Sequence, residues 1–285
     1  MTVLDTVAAV LRDAQWELEF TMLEVGAREI HKDPELFYRL LDLFPGSRVI
    51  AFEPDEAFCE SQNAAARPGV TYYAQALGRT EEQRAFYETE DPMCSSLYRP
   101  NSALLDRYNN MDVAKVKKVS QVHTVSLDNF CASHGIEQVD FIKIDIQGAE
   151  LDVFQGGVAT LDNVLGVVSE AEFVQNYVDQ PLFGDVCRFL DAQELQFQKI
   201  LGVGGRALKP TILNNDPNAC SQMLWADVLF FRNLFTEKTI WNEQRLKLAV
   251  LAALYECFDL TFFCFNEVDR REGETLAAEL SRRLG

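Results

Sequence analysis

The chain has 285 residues, 48% of them hydrophobic, and 44 acidic against 26 basic side chains give it a formal charge of −18. That size and apolar content suit one large α/β domain with an appendage, or two small domains. A surface this negative repels phosphate backbones and anionic lipid, which argues against nucleic acid and membrane as partners; it is compatible with attraction of a cationic small molecule or with plain solubility.

Residues 2–14 pattern as an amphipathic helix, with Val3, Leu4, Val7, Val10 and Leu11 on one face. LEFTMLEVG follows as a strand that ends at Gly26. Asp33-Pro34-Glu35 has helix-start chemistry, an Asp cap followed by Pro at the first helical position, and Pro45-Gly46 stops that helix. RVIAFEP is a second strand, Asp55 to Ala66 a second helix, and GVTYYAQALG a third strand. Residues 78–138 break the rhythm. Two strand-like pieces, QRAFYET and VSQVHTVSL, flank a loop with CSSLYRPNSALL, and a connection this long inside a domain is usually functional. It is expected to cover the mouth of a site.

The alternation then resumes with the strand VDFIKIDIQG, a helix after Gln147, the strand NVLGVVSEAEF, a helix from Phe183 to Gln193, and the strands LQFQKIL and MLWADVLFFRN. Near-continuous apolar strands separated by helices predict a mostly parallel sheet covered on both faces, with its ligand outside the carboxyl ends of the strands. Residues 1–237 are expected to form this domain and 238–285 a helical extension. Leu246, Val250, Leu251, Leu254, Phe258, Phe262 and Phe263 of the extension need cover, from a second subunit in a homodimer, from the ligand pocket, or from the back of the parent domain.

Seven cysteines, at 59, 94, 131, 187, 220, 257 and 264, include no CxxC pair and sit mostly in apolar runs. They read as reduced thiols of a cytoplasmic protein rather than a disulfide frame or a zinc site. The sequence has neither a signal-peptide pattern nor an apolar run of membrane-spanning length.

Three strand ends carry candidate chemistry. LEVGAR places Gly26 where backbone can approach a ligand, although G-x-G-x-x-G and GK[ST] are both absent. IAFEP places Glu53 where an acid accepts hydrogen bonds from both hydroxyls of a ribose; its other reading is a surface or helix-capping acid. In FIKIDIQG, period two puts Phe141, Lys143 and Asp145 on one face and Ile142 and Ile144 on the other. Lys143 is either a buried ion pair with Asp145, Glu24 or Glu170, or a base with a lowered pKa.

LEVGA, VIAFEPDEAF, AQALG, the CSSL loop, VSLDNF, DFIKIDIQGAELDVFQGG and VVSEAEF, in this order, resemble the FkbM family of S-adenosylmethionine-dependent methyltransferases over roughly residues 20–232. The resemblance implies a seven-stranded class I methyltransferase sheet, Rossmann-like, with the last strand antiparallel. It also implies O-methylation of a small-molecule, sugar or natural-product hydroxyl. It would put Glu24, Gly26, Ala27 and Arg28 around the methionine end of the cofactor, Glu53 with Pro54 at the ribose, Ala76 and Leu77 near the adenine, and Asp145, Ile146 and Gln147 below the sulfonium. The family's first motif continues with Asn and a second glycine, where this chain has Arg28 and Ile30. Arg28 then either pairs with the cofactor carboxylate or forms a salt bridge with Glu29 or Asp33.

Methylation of an alcohol also needs a proton acceptor, for which Asp145, Glu170, Glu172 and His123 are the candidates. No ligand spacing points to a metal. A non-catalytic methyltransferase-like module acting through the C-terminal helices is the alternative reading.

Overall fold

The computed structural model describes residues 2–28, 35–236 and 240–285. The expected helix start at Asp33-Pro34 and the expected domain boundary after residue 237 lie outside the described residues. The first helix, Val3–Asp13, is closed at its start by a capping box between Thr2 and Asp5. Strands β1 (Thr21–Val25), β2 (Arg48–Phe52) and β3 (Val70–Tyr73) follow, then the short strand β4 (Ala76–Gly78). Strands β5 (Glu82–Thr89) and β6 (Val116–Ser126) come next, then β7 (Phe141–Ile144), β8 (Gly166–Glu172), β9 (Leu195–Gly204) and β10 (Trp225–Arg232).

Seven of these strands form one sheet in the order β3-β2-β1-β7-β8-β10-β9, with β10 antiparallel to both neighbours. Strand order reverses between β1 and β7, which is where a crevice opens in such sheets. GVTYYAQALG is not one strand. The chain turns after Tyr73, where Gln75 N–H donates to Tyr73 O at 2.8 Å, and the rest becomes β4 of a second sheet, ordered β4-β6-β5. The two pieces expected in the 78–138 insertion are β5 and β6, an antiparallel pair standing over the carboxyl ends of the large sheet.

Side-chain alternation along β7 sorts the core into two layers. Phe141 packs with the first helix and the C-terminal helices; Ile142 and Ile144 join Leu127, Phe130, Val153 and Phe154 on the opposite face. The C-terminal helices Asn242–Leu254, Phe258–Glu272 and Leu276–Leu284 therefore complete, with the first helix and the helix Arg39–Leu43, the cover of one face of the sheet. Every residue from Arg245 to Leu254 is buried, the pattern of a helix enclosed by protein on all sides. The apolar groups expected to seek a second subunit or the ligand pocket instead complete the core of the parent domain. Phe258 and Phe263, each 38% exposed, lie at its margin.

One polar tie fixes this layer. Lys247 Nζ lies 3.2 Å from Asp140 Oδ1, with both side chains buried, while Asp140 also accepts Thr21 N–H at 2.9 Å and Gln138 Nε2 at 2.7 Å. Among the described residues no helix is long and apolar enough to cross a membrane.

Candidate active site

A cavity of about 530 Å³ opens at the strand-order reversal. Its floor is the ends of β1, β2 and β7, with Gly26, Glu53 and Asp145 to Gln147; Ala76 and Leu77 of β4 form one wall. The roof is the inserted sheet, through Phe86 and Glu88 of β5, Ser120 and Val122 of β6, and the loop around Ser95 and Ser96.

Gly26 is required here for a reason the sequence did not supply. Its φ is +84°, and a Cβ added to it would lie 2.0 Å from Asp145 O. The glycine thus lets the loops after β1 and β7 touch, and its N–H and that of Ala27 both donate to Phe52 O at 3.0 Å. Glu53 is buried, with 8% of its surface exposed. Burial pushes its carboxyl above the usual range, opposed by the Arg28 charge and the Asp55 N–H. Arg28 lies at the cavity paired with Asp55 at 2.8 Å and lies over the Phe58 ring. Its alternative partners Glu29 and Asp33 are outside the described residues. Glu24 and Ala27 do not line the cavity. Glu24 accepts the Tyr38 hydroxyl at 2.6 Å, and Ala27 packs with Ala51, Cys59 and Tyr72.

Lys143 Nζ is 3.6 Å from Asp145 Oδ2 and 3.4 Å from Asp227 Oδ1. Burial alone would lower its pKa, but the two carboxylates outweigh burial and raise it, so Lys143 stays an ammonium. Asp145 responds in the opposite sense. Burial would raise it, yet Lys143 and the Gln147 amide hold it below the usual range. Lys143 is therefore an ion-paired cation, and Asp227 is the partner that local sequence reasoning could not supply.

Gln147 organises the acids. Its φ is +58°, its Nε2 donates to Asp145 Oδ1 at 2.9 Å and to Glu170 Oε2 at 2.7 Å, and its Oε1 lies 2.9 Å from the Tyr177 hydroxyl. Ser96 of the inserted loop donates to Gln147 O at 2.7 Å, which ties the roof to the floor. Burial, then the charge of Asp145, pushes Glu170 well above the usual range. Burial and Glu150 do the same to Glu172. Glu150 is pushed up to about 7, chiefly by burial, while accepting the N–H groups of Ile146 and Gly148. Asp145, Glu150 and Glu170 each offer an oxygen within 4.8 Å of the others, close enough to share a cation, but Lys143 and the Gln147 amide already serve two of them.

Four candidate proton acceptors thus separate. Asp145 lines the cavity and is ionised. Glu170 and Glu172 lie behind it, buried, with burial pushing both carboxyls up. His123 is not brought to the site: it lies exposed on β6, while its neighbour Val122 faces the cavity.

The methyltransferase FkbM domain profile matches residues 24–199, more than half of the chain. The 2-O-methyltransferase NoeI of Sinorhizobium fredii is 27% identical over 180 residues, covering 60% of this chain and 72% of that one. Among solved structures, the 23S rRNA methyltransferase ErmE aligns with a TM-score of 0.36 at 11% identity, over 86% of this chain and 75% of that one. The MycE methyltransferase of mycinamycin biosynthesis, solved with Mg, SAH and mycinamycin VI, aligns with a TM-score of 0.35 at 11% identity, over 81% and 50%. The profile match covers the strands whose ends build the cavity, from Glu24 on β1 through β8, and by it the chain belongs to the FkbM family of methyltransferases.

Proposed function

We propose that this methyltransferase takes its methyl group from S-adenosylmethionine and transfers it to a hydroxyl of a small molecule, sugar or natural product in the cytoplasm. The observation that carries the reading is Glu53, a buried carboxylate at the end of β2 whose one hydrogen bond among the described residues is a long 3.4 Å contact from Asp55 N–H. A carboxylate left with free lone pairs at that strand end suits the two hydroxyls of a ribose. The cavity of about 530 Å³ is within the ordinary range for small-molecule sites. Gly26 and Arg28 would then face the methionine end, Pro54 would flank the ribose, Ala76 and Leu77 would contact the adenine, and Ile146 and Gln147 would close the floor. The name of the relative NoeI, a 2-O-methyltransferase, supports oxygen as the methylated atom.

S-adenosylmethionine supplies an electrophilic methyl carbon. Transfer of that methyl group to a hydroxyl would release the hydroxyl proton, which this chain's own residues would have to accept. Asp145 is the group suited to take it, being both ionised and at the cavity surface. Lys143 and Gln147 keep it ionised and fixed in place. Burial pushes Glu170 and Glu172 above the usual carboxylate range and neither lines the cavity, so Asp145 is the better placed base.

The test is calorimetry with S-adenosylhomocysteine. The parent protein should bind it, and Glu53→Ala should bind at least tenfold more weakly, since hydrogen bonds to a charged group contribute about 1.5–3 kcal/mol. Equal affinity in the two proteins removes Glu53 from the site. Failure of the parent to bind removes the methyl-donor assignment.

A further inference from the structure

The side-chain amide of Gln147 can serve Asp145 in one orientation only. Its nitrogen lies 2.9 Å from Asp145 Oδ1 and 2.7 Å from Glu170 Oε2, so its two hydrogens are both taken by acids. Turned over, the amide would aim its oxygen at the same two acids, of which Asp145 is ionised. The neighbouring acids Glu150 and Glu172 disfavour that charge, while Lys143 and the Gln147 amide favour it, so the direction of the amide matters. A donor on the far side of the amide would fix the direction. Among the described residues Gln147 Oε1 has one hydrogen-bond partner, the Tyr177 hydroxyl at 2.9 Å.

Tyr177 suits that task. It is 3% exposed, and burial pushes its phenol well above the usual range, so the hydroxyl keeps its proton. It does not line the cavity, so it acts on the site through what it touches. The loop that carries it is pressed against the turn that carries Gln147. A Cβ on Gly148, whose φ is +100°, would lie 2.9 Å from Gln180 Nε2, and Gln180 Oε1 accepts the Tyr177 N–H. The same hydroxyl lies 2.9 Å from Cys94 O, so the inserted loop competes with Gln147 for a single hydrogen.

The loop after β8 is also fastened without that hydroxyl. Asn101 N–H donates to Asn176 O at 2.8 Å, Asn101 Nδ2 to Gln175 O at 2.9 Å, and Val178 N–H to Arg99 O at 2.8 Å. These bonds hold the ring in place whether or not it carries an oxygen. Removal of the oxygen alone therefore tests its action on Gln147 rather than the folding of the loop.

We infer that Tyr177 is a positioning residue for methyl transfer: its hydroxyl fixes the Gln147 amide with the nitrogen toward Asp145 and Glu170, and so sets the hydrogen bonding of the group that takes the acceptor's proton. The inference rests on the methyl-transfer reading for the role of Asp145. The hydrogen-bond chain from Tyr177 through Gln147 to Asp145 stands on geometry alone.

The experiment follows two NMR signals of the full chain at pH 7 with no ligand added. One is the Gln147 side-chain amide, identified by its loss in Gln147→Met; the other is the Asp145 carboxyl carbon, identified by its loss in Asp145→Asn. Tyr177→Phe keeps the ring and removes the donor. It should speed exchange of the Gln147 amide hydrogens with water by about fivefold or more, the factor that one ordinary hydrogen bond supplies. It should also move the Asp145 signal in the direction that Gln147→Met moves it. Ser96→Ala frees Gln147 O from the roof without touching the amide, and should leave both signals as in the parent. An amide that exchanges at the parent's rate in Tyr177→Phe, an Asp145 signal that does not move, or equal changes in Ser96→Ala overturns the proposal, the last by making the effect a general loosening of the turn. If S-adenosylhomocysteine fails to bind the parent protein, the methyl-donor reading falls separately, and the same two signals still decide what Tyr177 does to Gln147.

Discussion

Two opposite charges on one face of a short buried strand need a reason, and Lys143 and Asp145 supply it for each other. Period-two alternation was enough to place them together and Ile142 and Ile144 on the other face. Asp227 was not legible, because it reaches Lys143 from β10, 84 residues away in sequence. Nor was the upward pKa shift of Glu170 and Glu172, which depends on how completely the sheet and the loop after β8 bury them. His123 shows the converse limit: a strand residue's facing depends on register with β5, and a shift of one residue sends it to the other side. The two charges should separate experimentally. Asp145→Asn keeps size and removes charge, and should lower single-turnover rate about 10²-fold or more with little change in melting temperature. Lys143→Met should lose stability first. The loss should stay below the roughly 3–5 kcal/mol of a fully buried broken pair, because Asp227 is 46% exposed and can be solvated. A Lys143→Met protein that melts like the parent yet is inactive would exchange the two roles.

The order of strands and helices outside the insertion was readable because the central strands are dense apolar runs and some helices begin with cap chemistry, as Asp55 does for Glu56–Ala65. GVTYYAQALG misled for a physical reason. All of it is strand-forming, and the turn at Ala74-Gln75 contains neither Gly nor Pro to mark it. Among the ties that fasten the roof it leads to, two reach the floor of the site and are announced by no local pattern. One is the Ser96–Gln147 bond; the other is Asp152, which accepts Arg84 Nη1 at 2.6 Å and the Tyr98 hydroxyl at 3.1 Å. Arg84 also lies over the Tyr98 ring, 5.3 Å from its centre. Asp152 sits on the helix Glu150–Gln155 that follows the floor of the site, so the latch joins roof to floor. Asp152→Asn keeps the shape and removes the charge that both donors share. Dissociation of S-adenosylhomocysteine should accelerate several-fold, with a loss of about 1–2 kcal/mol or less in global stability, since the pair is partly solvent-screened. A dissociation rate equal to the parent's would mean that the roof is held without this latch.

At the scale of the molecule, composition identified the C-terminal segment as helical and too apolar for water, and left three surfaces for it to cover. Choosing among them needed the sheet, because β1 and β7 present Met22 and Phe141 on a face that the first helix and the short helix Arg39–Leu43 leave incompletely covered. The helix Asn242–Leu254 fills that gap, Tyr255 stacks on Phe141 at 5.6 Å, and Lys247 reaches Asp140 at the foot of β7. The consequence concerns the independence of the methyltransferase portion. Leu246, Leu248, Val250, Leu251 and Leu254 are each 5% exposed or less, and their burial contributes about 1.5–3 kcal/mol apiece. Their sum is comparable with the whole stability of an ordinary domain, about 5–15 kcal/mol. A chain ending at Thr236 should therefore show no cooperative melting transition and no binding of S-adenosylhomocysteine, even though every residue lining the cavity is retained. Lys247→Met in the full chain should lower the melting temperature and leave the cavity intact, isolating the polar tie from the apolar layer. A truncated chain that melts cooperatively and binds like the parent would make the helices a detachable extension, and the sheet would then have to shield Phe141 and Met22 by some other packing.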